Sequence, residues 1–218
     1  TDASKAKTGE LTGVDGGGNT VTVDDGDPIH VADGALLFQD YQAVAGLDDL
    51  KVGSQASYIL DSSGDVVALV AVDWSGARVV KDVNLKHEKI NYKNGTSTTL
   101  EDKDYTVVRN GAAAELADLE ENDVVNVFTD GTEFLVVARD TTVSGSVDSV
   151  SYDLTSVNIG GEDYDLAANV SYSTDGGETV DGAAEVTDFL AEDVVAHLDG
   201  NGDVVFLTAE ITAAAPAE

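Results

Sequence analysis

Leu47-Asp48-Asp49-Leu50-Lys51-Val52-Gly53-Ser54-Gln55-Ala56, then a short strand, then Asp61-Ser62-Ser63-Gly64-Asp65-Val66-Val67-Ala68-Leu69-Val70, is the stretch that decides the fold. It returns as Leu116-Ala117-Asp118-Leu119-Glu120-Glu121-Asn122-Asp123-Val124-Val125, followed by Thr129-Asp130-Gly131-Thr132 and Phe134-Leu135-Val136-Val137. It returns again as Val186-Thr187-Asp188-Phe189-Leu190-Ala191-Glu192-Asp193-Val194-Val195, followed by Asp199-Gly200-Asn201-Gly202-Asp203 and Val204-Val205-Phe206-Leu207. Leu47 and Leu116 are 69 residues apart, and Leu116 and Val186 are 70. A period held over three copies is the mark of a tandem repeat.

The preceding half of each copy matches more loosely. Gly9-Glu10-Leu11-Thr12-Gly13-Val14 leads to Asn19-Thr20-Val21-Thr22-Val23. Arg78-Val79-Val80-Lys81-Asp82-Val83 leads to Lys89-Ile90-Asn91-Tyr92, and Val143-Ser144-Gly145-Ser146-Val147-Asp148-Ser149-Val150 to Ser156-Val157-Asn158-Ile159. The expected units are therefore 1–76, 77–141 and 142–211, with 212–218 a tail or linker.

Each unit reads as strands. Thr20-Val21-Thr22-Val23 alternates polar and apolar, the period of a half-buried strand. Val66-Val67-Ala68-Leu69-Val70 is a continuous apolar run, short enough for a strand buried on both faces. Clusters such as Asp15-Gly16-Gly17-Gly18-Asn19, Asn94-Gly95 and Gly160-Gly161 supply the positive φ that hairpin turns require. The Leu-x-x-Leu block is too short for a packed helix and predicts one helical turn whose two apolar side chains plug an end of the unit. A unit of about 70 residues is only marginally stable alone. The expectation is an all-β chain of three small barrels or sandwiches in tandem contact, in an elongated arrangement.

Charge narrows the function. The chain has 11 Lys and Arg against 42 Asp and Glu, a formal net charge of −31. Such a surface repels phosphate backbones and anionic membrane surfaces. It fits solubility in high salt, or a demand for divalent cations, whose hard charge takes carboxylate oxygens. Seven of the basic residues fall between 78 and 109: Arg78, Lys81, Lys86, Lys89, Lys93, Lys103 and Arg109. This strip predicts an assembly contact that docks on the acidic part of a neighbour. No run of 18 apolar residues is present, so no transmembrane helix is expected. The chain starts at Thr1 and has no Met, which fits a processed or excised form.

No catalytic constellation is legible, and the chain reads as a non-enzyme. Cys is absent, and with it thiolate chemistry and disulfides. Gly-x-Ser-x-Gly, Walker and dinucleotide fingerprints are missing, and His87-Glu88 begins a zinc-protease motif without completing it. His30, His87 and His197 sit at non-equivalent places in the repeats and read as surface or strand-packing residues. The calcium candidate is Asp199-Gly200-Asn201-Gly202-Asp203, with oxygen ligands Asp199, Asn201 and Asp203 at alternate positions. Glu210 stands at the twelfth position, but Val204 takes the place of the sixth-position glycine, and the intervening strand would carry Glu210 away. Asp61 and Asp65 form a weaker relative of the same loop. Both are equally the composition of a hairpin turn.

Taken together, the Gly-x-Val strand of residues 143–150, the alternating strand Asn19–Val23, the Leu-x-Asp-Leu-x-x-Gly/Asn-Asp-x-Val block and the Asp-x-x-Gly-x-Val hairpin resemble the small tandem β-domains of bacterial S-layer and cell-surface proteins. The resemblance implies a secreted surface protein, self-assembly with its own copies or other surface proteins, and calcium. It leaves a second reading, a spacer or module that binds cell-wall glycan or protein.

Overall fold

The computed structural model describes residues 6–211; the expected tail at 212–218 lies outside the described residues. Among the described residues there are strands and four short 3-10 turns, and no α-helix. Repeat one holds β1 (Lys7–Asp15), β2 (Thr20–Val23), β3 (Ile29–Gln39), β4 (Gln42–Ala43), β5 (Gln55–Leu60) and β6 (Val66–Val72). Repeat two holds β7 (Arg78–Asn84), β8 (Lys89–Tyr92), β9 (Ser97–Thr99), β10 (Asp104–Arg109), β11 (Ala112–Ala114), β12 (Val124–Thr129) and β13 (Glu133–Arg139). Repeat three holds β14 (Thr142–Val150), β15 (Ser156–Ile159), β16 (Glu162–Ser173), β17 (Asp193–Leu198) and β18 (Val204–Thr208).

Repeat three is a closed barrel in the order β14-β15-β16-β18-β17. Its third and fifth strands, β16 and β18, run parallel, and its other pairs are antiparallel. Repeat one closes the same cycle through β1, β2, β3, β6 and β5, again with a parallel pair between β3 and β6. Repeat two follows the same path, with its third strand broken into β9 and β10. A five-stranded Greek-key barrel of this order is the architecture of the OB-fold. Repeats one and three are thus closed barrels and not sandwiches, and repeat two keeps the same strand order with its sheet open between β9 and β10.

One local device recurs in all three. The first strand slips register after Leu11, Val80 and Val147. Such bulges bend a strand and let it serve two neighbours. Here the first strand pairs with the second strand on one side and the fourth on the other. The bend brings backbones close together at Gly145, where a Cβ would lie 3.2 Å from Gly160 Cα and 3.3 Å from Ile159 Cγ2. Gly145→Ala is therefore expected to cost about 1–3 kcal/mol, read as a lower thermal midpoint by circular dichroism. An unchanged midpoint would show that the crossing has slack.

The Leu-x-x-Leu blocks are 3-10 turns at Leu47–Asp49, Leu116–Asp118 and Val186–Phe189. Leu47 and Leu50, Leu116 and Leu119, and Val186 and Phe189 are buried in the three separate core clusters. The carboxylate of Asp49, Asp118 or Asp188 accepts the backbone N–H of Gly46, Glu115 or Glu185 and fixes the entry to each turn. The short plug thus closes one barrel end without a helix.

By compactness the chain divides into one unit through Trp74 and a second from Ser75. The second holds both repeat two and repeat three. The fifth strands show the difference this makes. In β6 the residues on the outer face, Ala68 and Val70, are only half-buried, so the apolar run there is not a doubly buried strand. In β18 all five residues are buried.

Candidate functional site

The outer face of β18 is covered by repeat two, and the joint between them is built from polar side chains. Lys93 leaves the end of β8 with its side chain only 3% exposed. Its Nζ meets Glu121 Oε1 at 2.7 Å, donates to the carbonyl oxygen of Gly177 in the loop after β16, and stands 5.4 Å from the centroid of the Phe206 ring. A cation over an aromatic face, out of water, gains from the ring quadrupole. Asn169 Nδ2 donates to the Ala77 carbonyl at 2.6 Å. His197 is buried, packs on Phe206 with centroids 5.6 Å apart, and bonds the backbone of Asn122. Burial first, and the Lys93 charge second, hold the His197 imidazole down to about 4. It is therefore neutral at pH 7, which the proximity of an ammonium demands.

Arg109 braces the same barrel end. Its Nε and Nη2 bond Asp123 at 2.8 and 3.0 Å, Nη2 meets Glu120 at 2.8 Å, and Asp140 lies at 3.5 Å. Asp123 is 2% exposed in its side chain, so this is a buried, two-pronged pair that ties the third strand to the approach of the fourth.

The basic strip is therefore divided. Lys93 and Arg109 are engaged within the chain and leave the set of contacts offered to a neighbour. Arg78 lies 5.3 Å over the Tyr92 ring. Lys81, Lys86 and Lys103 are exposed, and Lys89 is half-buried. Asp82, Glu88 and Asp104 stand among them, so the strip is a mixed surface and not a continuous cationic patch.

The calcium candidates cap their own turns. Asp199 Oδ1 accepts the N–H groups of Asn201 at 2.8 Å and Asp203 at 3.1 Å. Asp61 Oδ1 accepts those of Ser63 at 2.8 Å and Asp65 at 3.0 Å, in the same fourth-to-fifth-strand hairpin of repeat one. Asp130, which carries no ligand-like spacing in the sequence, does so in repeat two toward Thr132 and Glu133, at 2.8 and 2.9 Å. Among the described residues no group of three His, Asp or Glu is placed to hold a metal ion. Asp199 departs from its two relatives by being buried. Burial, and then the charge of Asp203, push its carboxyl up to about 7. Burial and the charge of Asp165 raise Asp203 as well. Asp199 thus spends one oxygen on its own turn and sits beside a second carboxyl, Asp203, whose charge it feels.

No family model matches the chain. A surface layer protein from Brevibacillus choshinensis is 32% identical over 136 residues, which takes in 57% of this chain and 12% of that protein. The chain thus spans a small part of this relative's length. A solved structure described as a multidomain protein with nucleic acid binding domains, from Streptococcus pneumoniae, aligns over 98% of this chain and 75% of its own at 10% identity. Its TM-score of 0.19 is too low to carry an argument.

The joint shows how repeat two of this chain seats on repeat three. Lys93→Ala removes the cation that holds Gly177, leaving that carbonyl without its donor, at about 1–3 kcal/mol. The expected result is faster proteolytic cutting in the loop at 174–184, with the strand signal by circular dichroism retained. Equal cutting rates in variant and parent would show that Lys93 does not hold the loop.

Proposed function

We propose that the chain is a non-enzymatic structural subunit of a bacterial surface layer or extracellular filament, exported to the cell surface, where it associates with its own copies or with other surface proteins. The observation that carries this is the joint: a barrel of this repeat seals the outer strand face of another through Lys93, Asn169 and His197. Barrels that dock on one another are the parts of an extended array. Similarity to a surface layer protein supports the same reading. The exposed Lys81, Lys86 and Lys103 would set register against acidic barrels, since opposite charge steers docking. With a net charge of −31, nucleic acid is a poor partner.

Negative-stain electron microscopy of the purified chain, at low and high salt and with or without millimolar Ca²⁺, tests this. Sheets or filaments are expected. Dependence on Ca²⁺ would assign carboxylate bridging between copies, and dependence on salt would assign charge pairing. Dispersed single particles in every condition would overturn the reading. The second reading, a module for wall glycan or protein, is favoured by Tyr152, which is fully exposed in the loop between β14 and β15. It requires saturable binding to isolated wall polymers.

A further inference from the structure

The registers show which residues of repeat one stand where repeat three is covered. Gly9 pairs with Ala56 and Gly145 with Val194, so Ile59 of β5 and His197 of β17, each three residues on, are equivalent. Ile59 pairs with Ala68, which pairs with Leu36 on its other side. His197 pairs with Phe206, which pairs with Ser171. Hence Ile59, Ala68 and Leu36 occupy the seat that His197, Phe206 and Ser171 occupy in repeat three. There the seat is sealed: Phe206 is 0% exposed beneath Lys93 of the neighbouring barrel. In repeat one it is open, with Leu36 63% and Ile59 37% exposed.

The barrel end that fits such a seat can be traced in the same way. In repeat two it consists of Lys93, which follows the pairing of Tyr92 with Val80, and of Asn122, whose N–H bonds the Val80 carbonyl. In repeat three Gly160 follows the pairing of Ile159 with Val147, and the Ala191 N–H bonds the Val147 carbonyl. Asn122 and Ala191 share the left-handed conformation, at φ 73 and 64. Leu190 replaces Glu121, and is 46% exposed. These two surfaces differ from their counterparts in the joint in the same direction. Where the internal joint sets Lys93 and Asn122 against His197 and Phe206, the open seat is aliphatic, and the free end offers Gly160, Leu190 and Ala191, none of them charged.

We infer that the Leu36–Ala68–Ile59 face of one copy takes the Leu190 end of repeat three of a second copy. The inference rests on the assembly reading above and gives that assembly its interface. The contact is heterologous, using different surfaces of the two copies. Such a contact propagates into an open chain unless its rotation closes a ring.

The chain has no Cys, so thiols can be placed at will. Leu36→Cys and Leu190→Cys variants, each checked by circular dichroism, would be mixed and treated with a short bismaleimide under conditions where the parent assembles. Mixed dimers are expected in roughly tenfold excess over either homodimer. Homodimers in equal or greater yield would overturn the inference. So would a Leu36→Glu variant that assembles at the parent's concentration, because a charge on the seat should raise that concentration about tenfold. In both cases visible parent filaments would leave the assembly reading standing. A parent that never assembles would remove both, and microscopy of the parent alone reports that outcome.

Discussion

Phe189→Ala is expected to unfold repeat three at markedly lower denaturant than the parent. Phe189 is 0% exposed in the last position of the third plug, with its ring 5.8 Å from that of Tyr172. Truncating a fully buried phenylalanine costs about 3–5 kcal/mol, from lost transfer energy and the cavity left behind. A barrel of this size has a total stability of a few to about 10 kcal/mol, so the substitution consumes a large share of it. The same change cannot be absorbed by the turn, because Asp188 and the Glu185 N–H hold its backbone in place. Urea titration followed by far-UV circular dichroism should show a lower midpoint for the strands. A circular-dichroism midpoint equal to the parent's would mean that the plug does not carry the core.

The second large effect is hidden in the parent and appears only in variants. Asp199 has its pKa raised to about 7 in the folded chain. Between pH 4 and 7 the folded state keeps a proton that the unfolded state has lost, so this group makes stability fall as pH rises through that window. His197 has its pKa lowered to about 4. Between pH 6.5 and 4 the unfolded state takes up a proton that the folded state refuses, so this group makes stability fall as pH drops. Each is worth on the order of 3 kcal/mol, and over the shared range their slopes oppose. Asp199→Asn should be more stable than the parent at pH 8, and that advantage should shrink toward pH 4. His197→Gln should lose stability as pH rises from 4 to 7. Urea midpoints at pH 4.5, 6 and 8 decide the matter: variant curves parallel to the parent's would exclude both assignments.

The β-unit was legible because it is written three times, although barrel and sandwich both fitted it. The alternation in Thr20–Val23, Lys89–Tyr92 and Ser156–Ile159 became the same pattern of half-buried and buried residues in all three second strands. The Leu-x-x-Leu plug was legible because three residues span only one turn. The joint was not. Lys93 reads in sequence as one of seven strip cations, and its burial depends on Gly177 and Phe206, distant residues that come together only when two barrels meet. A clue was available in the breaks from the repeat: Lys93 stands where Asp24 and Gly160 stand in the other copies, and Asn122 where Gly53 and Ala191 stand. The calcium candidates read two ways in sequence for the opposite reason. Asp61, Asp130 and Asp199 keep the turn-forming carboxylate in every repeat, while the further oxygens change. That pattern serves backbone capping in all three repeats.

The strand order also decides how a barrel bears tension. In repeat three the first strand is antiparallel to the fourth, and the fourth to the fifth, so β14 and β18 point the same way. A pull that enters at Thr142 and leaves at Thr208 therefore acts at opposite ends of the ladder, along the strands. Every hydrogen bond between them is strained at once, in shear, and none can be opened singly as in a zipper. A barrel loaded this way gives little until the whole ladder fails, and in the assembly proposed above such a barrel would be a stiff link.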